Sequence, residues 1–152
     1  MHIVLLEPEI PPNTGNIARL CAATRSELDL IEPLGFNLDD KQLKRAGMDY
    51  WQQVDWRRWP NWAAFHNSLA PGDRLWFVES HGPLLYTDAR FHQNDYLVFG
   101  RETAGVPQSL LQENREHWLR IPMSNPDSRS LNLSNCVAIV LFEALRQISL
   151  GR

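Results

Sequence analysis

Apolar and polar positions fall along this chain in blocks that separate strands from helices. Short apolar runs at Ile3–Leu6, Leu75–Val78 and Tyr96–Phe99 have the length and composition of buried strands. Leu28–Ile31 alternates and then meets Glu32-Pro33-Leu34-Gly35, which predicts a further strand, and His117–Ile121 predicts the last. Helical spacing takes over in between. Ile17, Leu20, Cys21 and Thr24 recur at i, i+3, i+4 and i+7, with Asn13 or Thr14 placed to cap that helix. Asp39–Ala46 predicts a short helix stopped by Gly47. From Tyr50 to Leu69 the pattern is weak, with Pro60 opening a helix through Ala63, Ala64, Phe65 and Leu69. Val106-Pro107 opens another through Leu110 and Leu111, proline being tolerated at an early position. Strands alternating with helices predict one α/β domain over residues 1–152, with a mostly parallel sheet flanked by helices.

The last block organises the rest. After a loop dense in Ser124, Asn125, Asp127, Ser128, Arg129, Ser130 and Asn132 comes CVAIVLFEAL, apolar everywhere except Glu143. Asn132 or Ser134 can cap this helix. A helix apolar on nearly all sides must be buried on nearly all sides. This one is too short to cross a bilayer, so it needs protein around it, either from this chain alone or from this chain together with a second copy. A polar loop fixed to such a helix is a well-supported platform for a site. In parallel sheets ligands gather outside the carboxyl ends of strands. Three loops leave strand ends here, Glu79–Gly82, Gly100–Gly105 and Pro122–Asn132, and they are expected to converge.

Composition narrows the class. The 152 residues, 43% hydrophobic and 22% charged, suit a globular soluble protein with a sizeable core. A formal charge of −3 gives no global footprint for nucleic acid, so any RNA contact must be a local basic patch. Cys21 and Cys136 lie in apolar helical patterns without CxxC spacing, as reduced core cysteines of a cytoplasmic protein do. The first residues have no basic leader, so no signal peptide is expected. The five histidines show no metal-ligand spacing, and no metal is expected. Neither GxxxxGK[ST] nor GxGxxG occurs, which leaves a P-loop and the usual dinucleotide fingerprint unsupported. Serines 128, 130 and 134 have no histidine nearby in sequence to activate them.

Three constellations remain. Asn13-Thr14-Gly15-Asn16-Ile17-Ala18-Arg19 reads most simply as a capped helix with a solvated arginine. In Phe99-Gly100-Arg101-Glu102-Thr103-Ala104-Gly105-Val106-Pro107, a glycine straight after a strand lets a ligand meet bare backbone; a plain turn is the competing explanation. The third is the polar loop Pro122–Asn132.

Together with IEPLGF, DDKQLKRAGMDY and PDSRSLNLSNCVA, these pieces make the whole chain resemble the SPOUT methyltransferases. Within them it is most similar to the small enzymes that methylate the ribose 2′-hydroxyl of the wobble nucleotide, position 34, of tRNA. The resemblance implies a five- or six-stranded parallel sheet with a C-terminal trefoil knot, although knots are nearly absent from proteins in general. It implies S-adenosylmethionine as cofactor, held by Val78, Gly100, Ile121 and Ser130 with Ser80, Gly82, Met123 and Leu131 as neighbours. It implies a homodimer with a shared active site and the tRNA anticodon stem-loop as partner, leucine tRNAs being the expected substrates. Arg19 matches the arginine that acts at the ribose. Because a guanidinium stays protonated, an electrostatic clamp on the developing alkoxide or a phosphate suits it better than a base. Asn13, Glu102, Arg129 and Asn132 match positions that orient substrate or loop.

For RNA, Lys41, Lys44 and Arg45 fall on one face of the short helix and, with Arg19 and Arg25, can track phosphates. A solvated helix face is the ordinary explanation. Trp51, Trp56, Trp59 and Trp62 surround Arg57-Arg58; they can stack on unpaired bases or, more simply, pack helices. Arg101, Phe142 and Glu79-Ser80-His81 depart from the subgroup, where proline, tyrosine and Thr-Thr-Lys are usual. Two other readings stay open: methylation of another RNA such as ribosomal RNA, and a non-catalytic RNA-binding dimer with the same fold.

Overall fold

The computed structural model describes residues 1–39, 41, 45 and 48–150. In chain order, β1 (His2–Leu6) leads to α1 (Pro11–Thr24) and β2 (Glu27–Ile31). A 3-10 turn (Met48–Gln53) precedes β3 (Trp56–Trp59) and α2 (Trp62–Ser68). Next come β4 (Leu75–Glu79), β5 (Leu84–Leu85) and β6 (Tyr96–Phe99). The chain ends with α3 (Gln108–Glu113), β7 (Trp118–Arg120) and α4 (Leu133–Leu150). Among the described residues no helix is long and apolar enough to cross a membrane.

The strands form one seven-stranded sheet in the order β3-β2-β1-β6-β4-β7-β5, and every pairing is parallel. Strands buried on both faces read as continuous apolar runs, which is why β1, β4 and β6 are visible in the sequence, while β2 alternates around the buried Asp29. Ile3 and Leu5 point to the face covered by α1 and α4, packing with Ile17, Cys21, Val137 and Leu141. Val4 and Leu6 point to the other face and pack with Phe65 of α2 and Leu111 of α3. Val137, Val140, Leu141 and Ala144 have no exposed surface; burying a Val or Leu side chain contributes about 1.5–3 kcal/mol, so α4 is firmly held on its inner side. Its outer side is open: Phe142 remains 56% exposed.

Two edge strands enlarge the expected five or six to seven. Trp56-Arg57-Arg58-Trp59 pairs in register with Leu28–Ile31, a strand where the expectation was tryptophans that pack helices or stack on unpaired bases. Its exposed arginines pair with Glu27 and Glu32 of β2 and the turn after it, and charge on an edge strand discourages further pairing. The tryptophans are packing residues. Trp51 lies 4.5 Å from Trp56 between ring centroids, Trp62 lies 5.3 Å from Phe65, and Trp59 Nε1–H donates to Asp29 at 2.8 Å.

The cap of α1 also differs from expectation. The helix begins at Pro11, with Ile10 in the cap position and no side-chain cap. Prolines lack the N–H that a first turn leaves unpaired, so they suit these positions. Asn13 and Thr14 therefore lie inside the first turn, and both are buried. For α4, Asn132 does cap: its Oδ1 accepts from Ser134 N–H at 2.9 Å. The helix expected over Asp39–Ala46 lies partly outside the described residues, as does Lys44; Lys41 and Arg45 are helical and exposed.

At the amino ends of the strands, Asp95 is the polar anchor. Only 2% exposed, it accepts from Arg74 Nε at 2.9 Å, Trp76 Nε1 at 2.8 Å and His92 N at 2.8 Å. Burial alone would raise its carboxyl; these donors and the guanidinium charge outweigh it and hold the carboxyl below its usual range.

Candidate active site

Neighbouring strands β1 and β6 send the chain to opposite faces of the sheet, β1 into α1 and β6 into α3. Such a reversal opens a crevice at the carboxyl ends of the strands. A cavity of about 490 Å³ lies there, bounded by the ends of β4 and β6, the loop after β7 and the entry to α1. This volume falls within the ordinary range for small-molecule sites. The three loops expected to converge do meet around it.

Val78, Ser80, Gly100 and Ile121 line the cavity, as do Met123, Ser130 and Leu131. Gly82, also expected to contact cofactor, lies outside the lining. Its α-carbon packs on β7, where a Cβ would meet the Leu119 carbonyl carbon at 2.7 Å, and its carbonyl accepts from Arg120 Nη1 at 2.6 Å. It fixes the loop rather than the wall. Asn13, Glu102, Arg129 and Asn132 line the cavity as well.

Three of these four form a chain of hydrogen bonds. Asn132 Nδ2 donates to Asn13 Oδ1 at 2.9 Å, and Asn13 Nδ2 donates to Glu102 Oε1 at 3.3 Å. Glu102 further accepts from the backbone N–H of Glu9 at 2.9 Å and of Ile10 at 3.1 Å. Its carboxylate thus secures the uncapped entry to α1, and because Ile10 holds the cap position, the Asn13 side chain is free to face the cavity. The start of α1, the loop after β6 and the start of α4 are tied into one unit. Thr103 adds to it by donating to Glu9 Oε1 at 2.7 Å.

Arg19 is elsewhere. It is exposed on α1, its guanidinium carbon 5.3 Å from the centre of the Tyr50 ring, and it does not line the cavity of its own chain. Arg25 ends α1 in a left-handed conformation, about 18 Å along the helix axis from Asn13. Of the basic residues expected to meet RNA, the described ones, Arg19, Arg25, Lys41 and Arg45, do not form part of the cavity wall.

Sequence reasoning passed over several wall residues. Ile10, Phe99, Leu133 and Cys136 all line it. Burial first, and then the Glu79 charge, push the Cys136 thiol up. Glu79 lines the cavity too, and Arg101 pairs with Glu7 beside it. Position next to a strand end could have found Phe99, Glu79 and Arg101, whereas Leu133 and Cys136 lie in α4, well past the end of β7. The donor set fits a nucleoside cofactor: apolar walls from Val78, Phe99, Ile121 and Leu131 stand beside hydroxyls and the bare backbone at Gly100.

A family model described as the SpoU rRNA Methylase family matches residues 1–142, and the chain belongs to that family. The tRNA (cytidine(34)-2′-O)-methyltransferase of Saccharophagus degradans is 51% identical over 150 residues, covering 97% of this chain and 95% of its own. A solved structure concerned with 2′-OH methylation of C/U34 on tRNA superimposes with a TM-score of 0.93 at 46% identity, covering 99% of this chain and 97% of its own. The SpoU methyltransferase AviRb of Streptomyces viridochromogenes, in complex with the cofactor AdoMet, matches with a TM-score of 0.85 at 25% identity, covering 97% of this chain and 57% of its own.

Proposed function

We propose that this protein methylates the ribose 2′-hydroxyl of nucleotide 34 in tRNA, using S-adenosylmethionine. The observation that carries this reading is the cavity at the crevice between β1 and β6, with bare Gly100 backbone in its wall and the Asn13–Glu102–Asn132 network at its side. When bound, the cofactor supplies an activated methyl group on a sulfonium. Val78, Gly100, Ile121 and Leu131 would hold its nucleoside, with Ser80, Met123 and Ser130 beside them. The contribution of the protein is positioning: the network fixes the loops, and Arg129 offers a cation for RNA phosphate.

Arg19 serves the site of a second copy, where its permanent charge clamps the developing alkoxide or a neighbouring phosphate. The apolar stripe on α4 supports this arrangement. Phe142 is 56% exposed, and Ala138, Ile139 and Leu145 beside it are only partly covered. A second copy packing on that stripe completes its burial. The anticodon stem-loop is the partner under this reading, its unpaired bases being open to recognition; Arg25, Lys41 and Arg45 are exposed for phosphate contact. The reading puts the enzyme in the cytoplasm with its substrate, and includes the trefoil threading of the C-terminal segment.

The test is methylation of bulk tRNA with labelled cofactor, followed by mapping of the modified nucleotide and its isoacceptor. The expected product carries one methyl group on the ribose of nucleotide 34, in leucine tRNAs. Arg19→Ala should abolish incorporation while calorimetric uptake of cofactor persists. Failure of the purified protein to bind S-adenosylmethionine, with or without tRNA, refutes the reading. Tight RNA binding without incorporation would favour a non-catalytic dimer.

A further inference from the structure

The loop after β6 is in tight contact on two successive sides. A methyl group on Gly100 would meet the Gly105 carbonyl carbon at 2.0 Å, and one on Gly105 would meet Glu79 Oε1 at 2.0 Å. Gly100 backbone, Gly105 backbone and the Glu79 carboxylate are thus stacked between the cavity wall and the end of β4. Gly105 has φ +67°, a conformation that glycine adopts readily, so the carboxylate rests where a side chain would otherwise stand.

A glutamate at a strand end is ordinarily solvated. Here both oxygens are engaged by main chain: Oε1 accepts from Val106 N–H at 2.7 Å, and Oε2 from Ser80 N–H at 3.1 Å. Such bonds to an ionised carboxylate are stronger than neutral ones. One side chain therefore joins the loop after β4 to the loop after β6, and both loops line the cavity. Its charge also reaches the opposite wall, where it is the second cause, after burial, of the raised Cys136 thiol.

We infer that Glu79 is a positioning residue for cofactor affinity: it clamps the Gly100–Val106 loop to the end of β4 and so shapes the wall against which the nucleoside of the cofactor rests. This inference rests on the S-adenosylmethionine reading of the cavity. Because its oxygens are occupied by backbone donors, Glu79 acts on binding and not on bond-making.

The experiment is calorimetric titration of S-adenosylmethionine into wild type, Glu79→Ala and Glu79→Gln, with steady-state tRNA methylation at varied cofactor. In Glu79→Ala the dissociation constant and the KM for cofactor should rise about tenfold or more, equivalent to about 1.4 kcal/mol. At saturating cofactor, kcat should stay within about threefold of wild type. Glutamine keeps an acceptor for Val106 N–H but sets an amide donor against Ser80 N–H, so Glu79→Gln should fall between the two. A wild-type KM in Glu79→Ala, or a loss confined to kcat, overturns the inference. If the alanine variant does not fold at the assay temperature, Glu79→Gln decides: a KM raised about threefold supports the clamp, and a wild-type KM overturns it. Absence of cofactor uptake by wild type is a different failure, because it removes the cofactor reading itself.

Discussion

Gly100→Ala tests whether the backbone after β6 is a rigid wall. The added methyl group would lie 2.0 Å from the Gly105 carbonyl carbon and 2.2 Å from Val106 N. Non-bonded carbons settle about 3.5 Å apart, so the two arms of the loop must part by roughly 1.5 Å. The obstacle is main chain, which cannot rotate aside as a side chain can. Glu79 Oε1 lies 2.0 Å from where a Gly105 Cβ would stand and crowds the same loop. Relief comes from a shift of Gly100 or of the Gly105 arm, and both line the cavity. Overpacking of this kind costs about 1–3 kcal/mol. If cofactor binding has to restore the original wall, that strain enters the dissociation constant as a weakening of roughly 5- to 150-fold. Calorimetry with S-adenosylmethionine reads the affinity, and a thermal melt checks that the protein is folded. Wild-type affinity in a folded Gly100→Ala protein would show that the wall yields freely, and the account of the site as a rigid cradle would be wrong.

Other outcomes follow from single side chains. Asp95→Ala removes the acceptor for Arg74, Trp76 and the His92 N–H; breaking such a pair costs about 3 kcal/mol or more, and at about 2–4 °C per kcal/mol the melting temperature should drop by at least 6 °C. Because its carboxyl is held below the usual range, the stabilisation is complete at neutral pH and is lost as pH falls below about 4. The gap between wild type and Asp95→Asn in melts run from pH 6 to pH 2 should therefore shrink toward the acid end, and a constant gap would contradict the assignment. Cys21 is fully buried and its thiol is pushed up to about 12, whereas Cys136 lines the cavity. Iodoacetamide should label Cys136 alone, and cofactor at ten times its dissociation constant should slow labelling about tenfold by mass action; unprotected labelling, read by mass spectrometry, would put the cofactor elsewhere. Phe142→Lys places a charge on the uncovered stripe of α4, and loss of a central aromatic anchor there costs about 2–4 kcal/mol of association. On the proposed pairing of two copies through this stripe, light scattering should find a dimer for wild type and a monomer for Phe142→Lys. A monomeric wild type would refute the pairing, and a dimer in both would move the interface away from α4.

Strands buried on both faces, such as Ile3–Leu6 and Tyr96–Phe99, were legible because nothing but apolar residues can occupy them. The same holds for the three strand-end loops, whose glycines and small polar residues stand out between apolar runs. Trp56–Trp59 was not legible as a strand, because an edge position puts large aromatics beside solvent-facing arginines and removes the continuous run. Asn13 looked like a helix cap because capping preference is local, whereas Glu102, far along the chain, had already secured that helix entry from outside.

The order of residues by itself determined the alternation of elements, the parallel class of the sheet, and which loops leave the strand ends that meet at the cavity. Those features depend on burial and torsional preference within a few residues. Only the tertiary structure decided that Asn13 and Asn132 would bond across 119 positions of chain, that the Glu79 carboxylate would meet Gly105, and that Arg19 would stand outside the wall of its own cavity. Each is a contact between segments remote in sequence, brought together by strand order, and local pattern holds no record of which strand lies beside which.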